Sequence, residues 1–155
     1  MENAAPRFVA DVMLGRLTRW LRALGYDSLY DSAYEDAALA ELARRENRIL
    51  LTRDVELTRR KNLHVLLIHD DKVQSQLRQV ISAFELNDVS AFTRCIECNA
   101  ELVTISRDIV AVSVPPYILK TQTNFRGCPQ CGKIYWRGTH WVRMRRVLSE
   151  MQNDE

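Results

Sequence analysis

Three aspartates stand where a chain can gather negative charge: Asp11, Asp36 and Asp54. Asp11 closes the apolar run Phe8-Val-Ala10, and Asp54 follows Ile49-Leu-Leu51 by way of Thr52 and Arg53. Asp36 falls in the first turn of a helical pattern. Carboxylates grouped without His or Cys are hard oxygen donors that suit Mg²⁺ or Mn²⁺. Ions held in this way position a water, lower its pKa and stabilise charge on a phosphodiester in transit. Each acid also has a simpler use. Asp54 fits the N-cap of a following helix, while Asp36 and Glu35 suit the positive end of one. Asp31 and Asp70 are further acids near strand ends, and Asp71 with Gln74 reads as a capping pair. No capping pattern needs Asp11 as well as the chemistry does.

The four cysteines form two close pairs, Cys95-x-x-Cys98 and Cys128-x-x-Cys131, with 29 residues between the pairs. Two such knuckles make a tetrahedral thiolate cage that suits zinc, and four thiolates leave no open position, so the metal would be structural. Gly132 permits the tight turn that aims backbone N–H groups at sulfur.

The net charge of +2 hides an uneven distribution. No Asp or Glu occurs between Asp108 and Glu150, whereas Lys120, Arg126, Lys133, Arg137, Arg143, Arg145 and Arg146 all fall there. Such a stretch suggests a polyanionic partner. Tyr117, Phe125, Tyr135, Trp136 and Trp141 interleave with these cations, as a surface that stacks bases and pairs phosphates requires. The alternative is that several of these aromatics form the core of a small module. Arg143, Arg145, Arg146 and Trp141 are the candidate RNA contacts of this part. In the first part, Arg16 and Arg19 lie close enough after Asp11 to bind substrate phosphates, or else belong with Arg22 to a solvated helical stripe. Arg53 and His140 are further candidates.

These residues need a scaffold to place them. Short runs over 7–11, 26–30, 48–52 and 63–68 read as strands. Between and after them, helical patterns cover 14–24, 32–46, 54–61 and 72–86. Gly25 ends the first as a C′ residue, and Ser32 with Glu35 has the form of a capping box for the second. The alternation implies a mostly parallel sheet flanked by helices over residues 1–88. Residues 89–155 are expected to form a zinc ribbon. Within it, residues alternate over 102–114, a Pro115-Pro116 break comes next, and a basic helix over 141–151 closes the chain. Neither GxGxxG nor a Walker A sequence occurs, which excludes nucleotide binding of those types. No stretch is long and apolar enough to span a membrane, and the first residues lack the regions of a signal peptide, so a cytoplasmic location is expected.

Asp11-Val-Met-Leu-Gly-Arg-Leu-x-Arg-Trp-Leu-Arg-x-Leu-Gly-Tyr-Asp27, Glu35-Asp36, Ile49-Leu-Leu-Thr-Arg-Asp54, the paired Cys-x-x-Cys and Gly138-Thr-His-Trp141 together resemble a known family. It is the PIN-like ribonuclease domain with a C-terminal zinc ribbon found in "mut-seven" type exonucleases. The resemblance implies a PIN-like α/β fold and metal-dependent RNA cleavage. Its first-strand acid matches Asp11, and its Thr-x-Asp acid matches Asp54. Its helix-start acid matches Asp36 best, with Glu35 and Asp31 nearby. A fourth acid has no clean match; Asp70 and Asp71 are the neighbouring options. The expected function is therefore a Mg²⁺- or Mn²⁺-dependent ribonuclease with a structural zinc ribbon that helps bind RNA. The alternative is a non-catalytic RNA- or ribosome-binding adaptor. A DNA-binding regulator lacks a recognition-helix motif.

Overall fold

The structure is a computed structural model and describes residues 4–152. The chain divides into two compact units, Met1–Asn99 and Ala100–Glu155.

In the first unit strands and helices alternate. They are β1 (Phe8–Ala10), α1 (Gly15–Ala23), β2 (Ser28–Tyr30), α2 (Asp36–Glu46), β3 (Ile49–Thr52), α3 (Val55–Thr58), β4 (Val65–Leu67) and α4 (Val73–Phe84). The four strands are parallel in the order β2-β1-β3-β4. Every residue of β1 and β3 is buried, as expected for central strands covered on both faces. Side chains alternate across the sheet. Val9 and Leu50 join Leu39, Leu42 and Ala43 of α2 and Leu57 of α3 in one core. Phe8 instead meets Phe84 of α4 edge-on at 5.7 Å and Tyr26 at 6.2 Å. After β2 the chain crosses back past β1 to form β3, so the strand order reverses between these two strands. The crevice beyond their carboxyl ends is the switch point where open α/β sheets bind ligands.

Several element boundaries differ from the sequence reading, each for a local reason. The helix expected over 14–24 is preceded by a 3-10 turn, Val12–Leu14. Leu14, Leu17, Leu21 and Leu24 are buried as the periodicity predicts, each stabilising by about 1.5–3 kcal/mol. Gly25 comes next with φ +94, and a Cβ there would lie 2.1 Å from the Ser90 carbonyl oxygen. The expected capping box at Ser32 does not form. Asp31 Oδ1 accepts from the Ala33 amide at 2.9 Å and the Asp31 carbonyl accepts from the Tyr34 amide at 3.1 Å. That turn occupies the residues before the helix, so α2 starts at Asp36, with Glu35 as N-cap and no side-chain cap bond. Before α4 it is Asp70, not Asp71, that orders the entry: its Oδ1 accepts from the Lys72 amide at 2.8 Å.

At the amino end of the sheet Arg48 is buried. Its Nη1 donates to Asp27 Oδ1 at 2.8 Å and to the Phe8 carbonyl at 3.2 Å, and its Nε donates to Glu46 Oε1 at 2.9 Å. Asn99 Nδ2 donates to the same Asp27 oxygen at 2.7 Å, while the Ser28 amide donates to Asn99 Oδ1 at 2.9 Å. Burial alone would raise the Asp27 pKa, but the hydrogen bonds from Arg48 and Asn99 outweigh it and hold the carboxyl below its usual range.

The second unit contains a three-stranded antiparallel sheet, β5 (Val103–Thr104), β6 (Arg126–Gly127) and β7 (Ile134–Tyr135), in that order. Its helices are α5 (Arg107–Val110), α6 (Pro116–Thr121) and α7 (Thr139–Gln152). The alternation over 102–114 therefore yields one two-residue strand and then helix. Pro115 and Pro116 do not simply break structure. Pro115 is the extended N-cap of α6 and Pro116 its first residue, a position that suits a fixed φ and a missing N–H. Arg107 reaches the other end of α6 and donates to the Leu119 and Gln122 carbonyls. Val110, Phe125, Leu148 and Met151 are buried, and Phe125 meets Trp136 edge-on at 6.4 Å.

Candidate active site and thiolate cluster

The register pairs Ala10 with Leu51, so Asp11 and Thr52 leave the two central strands side by side. The Asp11 amide donates to the Leu51 carbonyl at 3.0 Å, which extends the β1–β3 ladder to the carboxylate itself. Thr52 is fully buried, and its hydroxyl donates to Asp11 Oδ2 at 2.9 Å. The same Oγ1 accepts from the Asp54 amide at 3.0 Å. One hydroxyl thus ties the acid ending β1 to the backbone of the acid beyond β3. The residue pattern did not single out Thr52; its one signal is a hydroxyl two residues before Asp54 at the end of an apolar run.

Both acids also serve the local fold. Asp11 is the N-cap of the 3-10 turn, its Oδ1 accepting from the Val12 amide at 2.6 Å. Contrary to expectation, this acid has a capping role as well as any chemical one. Asp54 is the N-cap of α3, its Oδ1 accepting from the Glu56 amide at 2.9 Å. Asp11 is only 7% exposed. Asp36 opens α2 in an exposed position. Asp31 and Asp70 both close local turns. Among the described residues, only the four cysteines form a group of three or more Asp, Glu, His or Cys with converging ligand atoms. Asp11, Asp36 and Asp54 do not close to that spacing. Val12 and Met13, which follow Asp11 in the chain, and Val55, which follows Asp54, are 43%, 69% and 48% exposed.

The basic candidates separate into different kinds. Arg16 is exposed on α1. Arg19 forms an exposed ion pair with Glu97 at 2.8 Å. Arg22 is not part of a solvated stripe. It is buried, and it donates to the Ser28, Ile96 and Glu97 carbonyls at 2.8, 3.0 and 3.1 Å. Burial holds its guanidinium below the ordinary value against the opposing pull of Cys95 and Cys98. Arg53 is half-buried, and its Nε is buried without a hydrogen-bond partner. In the second unit Arg143, Arg145 and Arg146 are exposed on α7. Trp141 is flanked by Arg137 at 5.0 Å and Arg145 at 6.0 Å from its ring centre. Phe125 is core, not surface. The side chain of His140 lies outside the described residues.

The sulfur atoms of Cys95, Cys98, Cys128 and Cys131 lie within 4.8 Å of one another, close enough to bind zinc. Both knuckles use the same turn. The Cys98 amide points at Cys95 Sγ, and the Gln130 and Cys131 amides point at Cys128 Sγ, each at 3.4 Å. The residue after each second cysteine has positive φ: Asn99 at 71 and Gly132 at 78. Asn is one of the few side chains that tolerates this region. Its amide meets the Cys95 carbonyl at 2.9 Å, as the Gly132 amide meets the Cys128 carbonyl at 2.9 Å. Asn99 carries a structural role that the bare Cys-x-x-Cys pattern does not reveal.

A family model described as "Mut7-C RNAse domain" matches residues 6–148. No curated protein and no solved structure matches the chain.

Proposed function

The chain belongs to the Mut7-C RNAse domain family, and from that premise we propose that it hydrolyses RNA phosphodiester bonds with a divalent cation. The observation that carries this reading is the linkage of Asp11 to Asp54 through Thr52 at the switch point. The donor set suits the cation: carboxylate oxygens are the ligands Mg²⁺ and Mn²⁺ prefer, and each Asp11 oxygen keeps a lone pair beyond its one hydrogen bond. Asp11, Asp54 and, from the start of α2, Asp36 are the residues that would hold it. When bound, such an ion supplies a water of lowered pKa and neutralises phosphoryl charge.

The chain's own contribution is to fix these groups before substrate arrives. The Val12 amide and the Thr52 hydroxyl lock both oxygens of Asp11. The Glu56 amide orients Asp54 through its Oδ1. The burial of Asp11 strengthens every charge interaction at the crevice. The exposed Val12, Met13 and Val55 offer surface for a base or ribose. Arg16 and Arg19 are assigned to the substrate backbone near the crevice. Arg143, Arg145, Arg146 and Trp141 on the basic α7 would grip RNA as sequence-independent contacts. Zinc on the four thiolates would hold the two knuckles as a structural ribbon.

The test is cleavage of a panel of labelled RNAs with and without Mn²⁺, with product ends mapped. Cation-dependent cleavage is the expected result; intact RNA under all conditions removes the enzyme reading. One observation favours the adaptor reading instead. Asp11, Asp54, Asp31 and Asp70 each satisfy a local backbone amide, so a fold-only account of them exists. An adaptor would bind RNA without cleaving it.

A further inference from the structure

We propose that Tyr30 is a positioning residue for the Asp11 carboxylate and that Gly15 provides the space it needs, an assignment that rests on the ribonuclease reading. Asp11 has two oxygens and two local donors. The Thr52 hydroxyl meets Oδ2 at 2.9 Å, and the Val12 amide meets Oδ1 at 2.6 Å. Thr52 is fully buried, whereas Val12 is 43% exposed and opens a three-residue turn. Burial therefore fixes the first donor and does much less for the second. Tyr30 supplies the missing hold. Its hydroxyl donates to the Val12 carbonyl at 2.8 Å. It does so from the last residue of β2, which the register pairs with Ala10, directly before Asp11. Val12 is thus held on both sides, its N–H on Asp11 and its carbonyl on Tyr30.

Gly15, the first residue of α1, lets the ring come this close. A Cβ there would stand 3.1 Å from Tyr30 Oη and 3.2 Å from its Cζ, inside the usual separation of nonbonded atoms. The backbone itself does not ask for glycine. Gly15 has φ −61 and ψ −41, an ordinary helical conformation in which alanine is the more stable residue. The approach of Tyr30 gives glycine a reason to be there. The hydroxyl–carbonyl bond lies at the exposed surface, where water can replace it at little cost in stability. Its effect on the carboxylate is another matter. A small divalent cation demands near-ideal ligand geometry, so a turn free to shift by a fraction of an ångström weakens the site without unfolding the protein.

Tyr30→Phe removes the hydroxyl and keeps the ring, Gly15→Ala pushes the ring away, and the double variant does both. Three quantities are read for these and for the wild type. They are melting temperature without cation, Mn²⁺ affinity from the paramagnetic resonance signal of free Mn²⁺, and KM and kcat for cleavage of a labelled single-stranded RNA with Mn²⁺. Tyr30→Phe should melt within about 4 °C of wild type. It should bind Mn²⁺ about fivefold more weakly and lower kcat about tenfold, with KM for RNA within about twofold, because Tyr30 acts through Asp11 and not on the strand. Gly15→Ala should weaken Mn²⁺ binding and kcat in the same way while melting at or above the wild-type temperature, since alanine favours the helix. The double variant should lose no more than the worse single one, because both changes break one bond.

Unchanged Mn²⁺ affinity and kcat in Tyr30→Phe would overturn the assignment while leaving a cleaving wild type as a ribonuclease. Losses that multiply in the double variant would overturn the shared route through Gly15. A raised KM with normal kcat would make Tyr30 an RNA contact instead. A large drop in melting temperature, with normal Mn²⁺ affinity and kcat per folded molecule, would make it structural. A wild type that binds Mn²⁺ in a Tyr30-dependent way but never cleaves RNA would keep the positioning role and remove the ribonuclease reading. A wild type that neither binds Mn²⁺ nor cleaves would remove both.

Discussion

Thr52 occupies the most constrained position in the candidate site. Its hydroxyl has two partners that no other described side chain serves: Asp11 Oδ2 and the Asp54 amide. Thr52→Val keeps the shape and removes both bonds, leaving a buried carboxylate oxygen and an amide unmet. Unfolding free energy measured in denaturant should fall by about 1–3 kcal/mol. Asp11→Asn and Asp54→Asn act differently. Each keeps the side-chain shape and removes the charge that would hold a cation. Either change should lower Mn²⁺-dependent RNA cleavage at least about a hundredfold, and the double variant should lose little more, since the acids act as one unit. Wild-type-like cleavage by the double variant would refute this site. Because both acids also cap turns and Asn caps about as well as Asp, melting measured alongside should stay close to wild type.

The strands and helices owe their placement to links between distant parts of the chain. Arg48, leading into β3, meets Asp27, which leads into β2, and Asn99 adds a second donor to that carboxylate. The Asp27 pKa in the folded protein lies below its unfolded value of about 3.9. A depressed acid contributes stability that is fully present above the unfolded pKa and is lost as pH falls through the folded one. Asp27→Asn should therefore be destabilised near neutral pH, by about 2–3 kcal/mol for a partly buried pair whose arginine is left behind. The deficit should shrink as pH drops below about 4. A deficit that stays constant from pH 7 to pH 2.5 in denaturant titrations would show that the Asp27 charge is not what matters.

The chain carries a cluster of four cysteines and a C-terminal helix rich in arginine besides its strand-end acids. One zinc per chain is expected by elemental analysis, and Cys128→Ser should release it. The variant should lose the fold of residues 100–155 while the first unit keeps a cooperative melt. The first knuckle would then remain in place, because Arg22 and Asn99 hold it to α1 and β2 by hydrogen bonds that involve no metal. Zinc-free wild-type protein with a folded Cys128→Ser variant would end the zinc assignment. Charge removal at Arg143, Arg145 and Arg146 together should weaken RNA binding across sequences and reduce its salt slope by roughly 2. An unchanged slope would make the basic helix a solvated face.

The parallel sheet, its flanking helices and the strand-end positions of Asp11 and Asp54 were legible in the residues alone. So were the two cysteine pairs. Hydrophobic period, turn residues and ligand spacing are local properties, written within a few positions of one another. The start of α2 was not legible, because Asp31 and Ser32 offer competing local turns of similar strength and the choice between them depends on residues outside both turns. Thr52 as the bridge, Arg22 as a buried anchor and Asn99 as a strut to Asp27 were not legible either. Their partners stand 41, 74 and 72 positions away, and no periodicity within an element encodes which distant carbonyl or carboxylate a side chain will face. Only when β3 crosses back beside β1 does Thr52 come level with Asp11, and only then does a hydroxyl in an apolar strand acquire a role at the site.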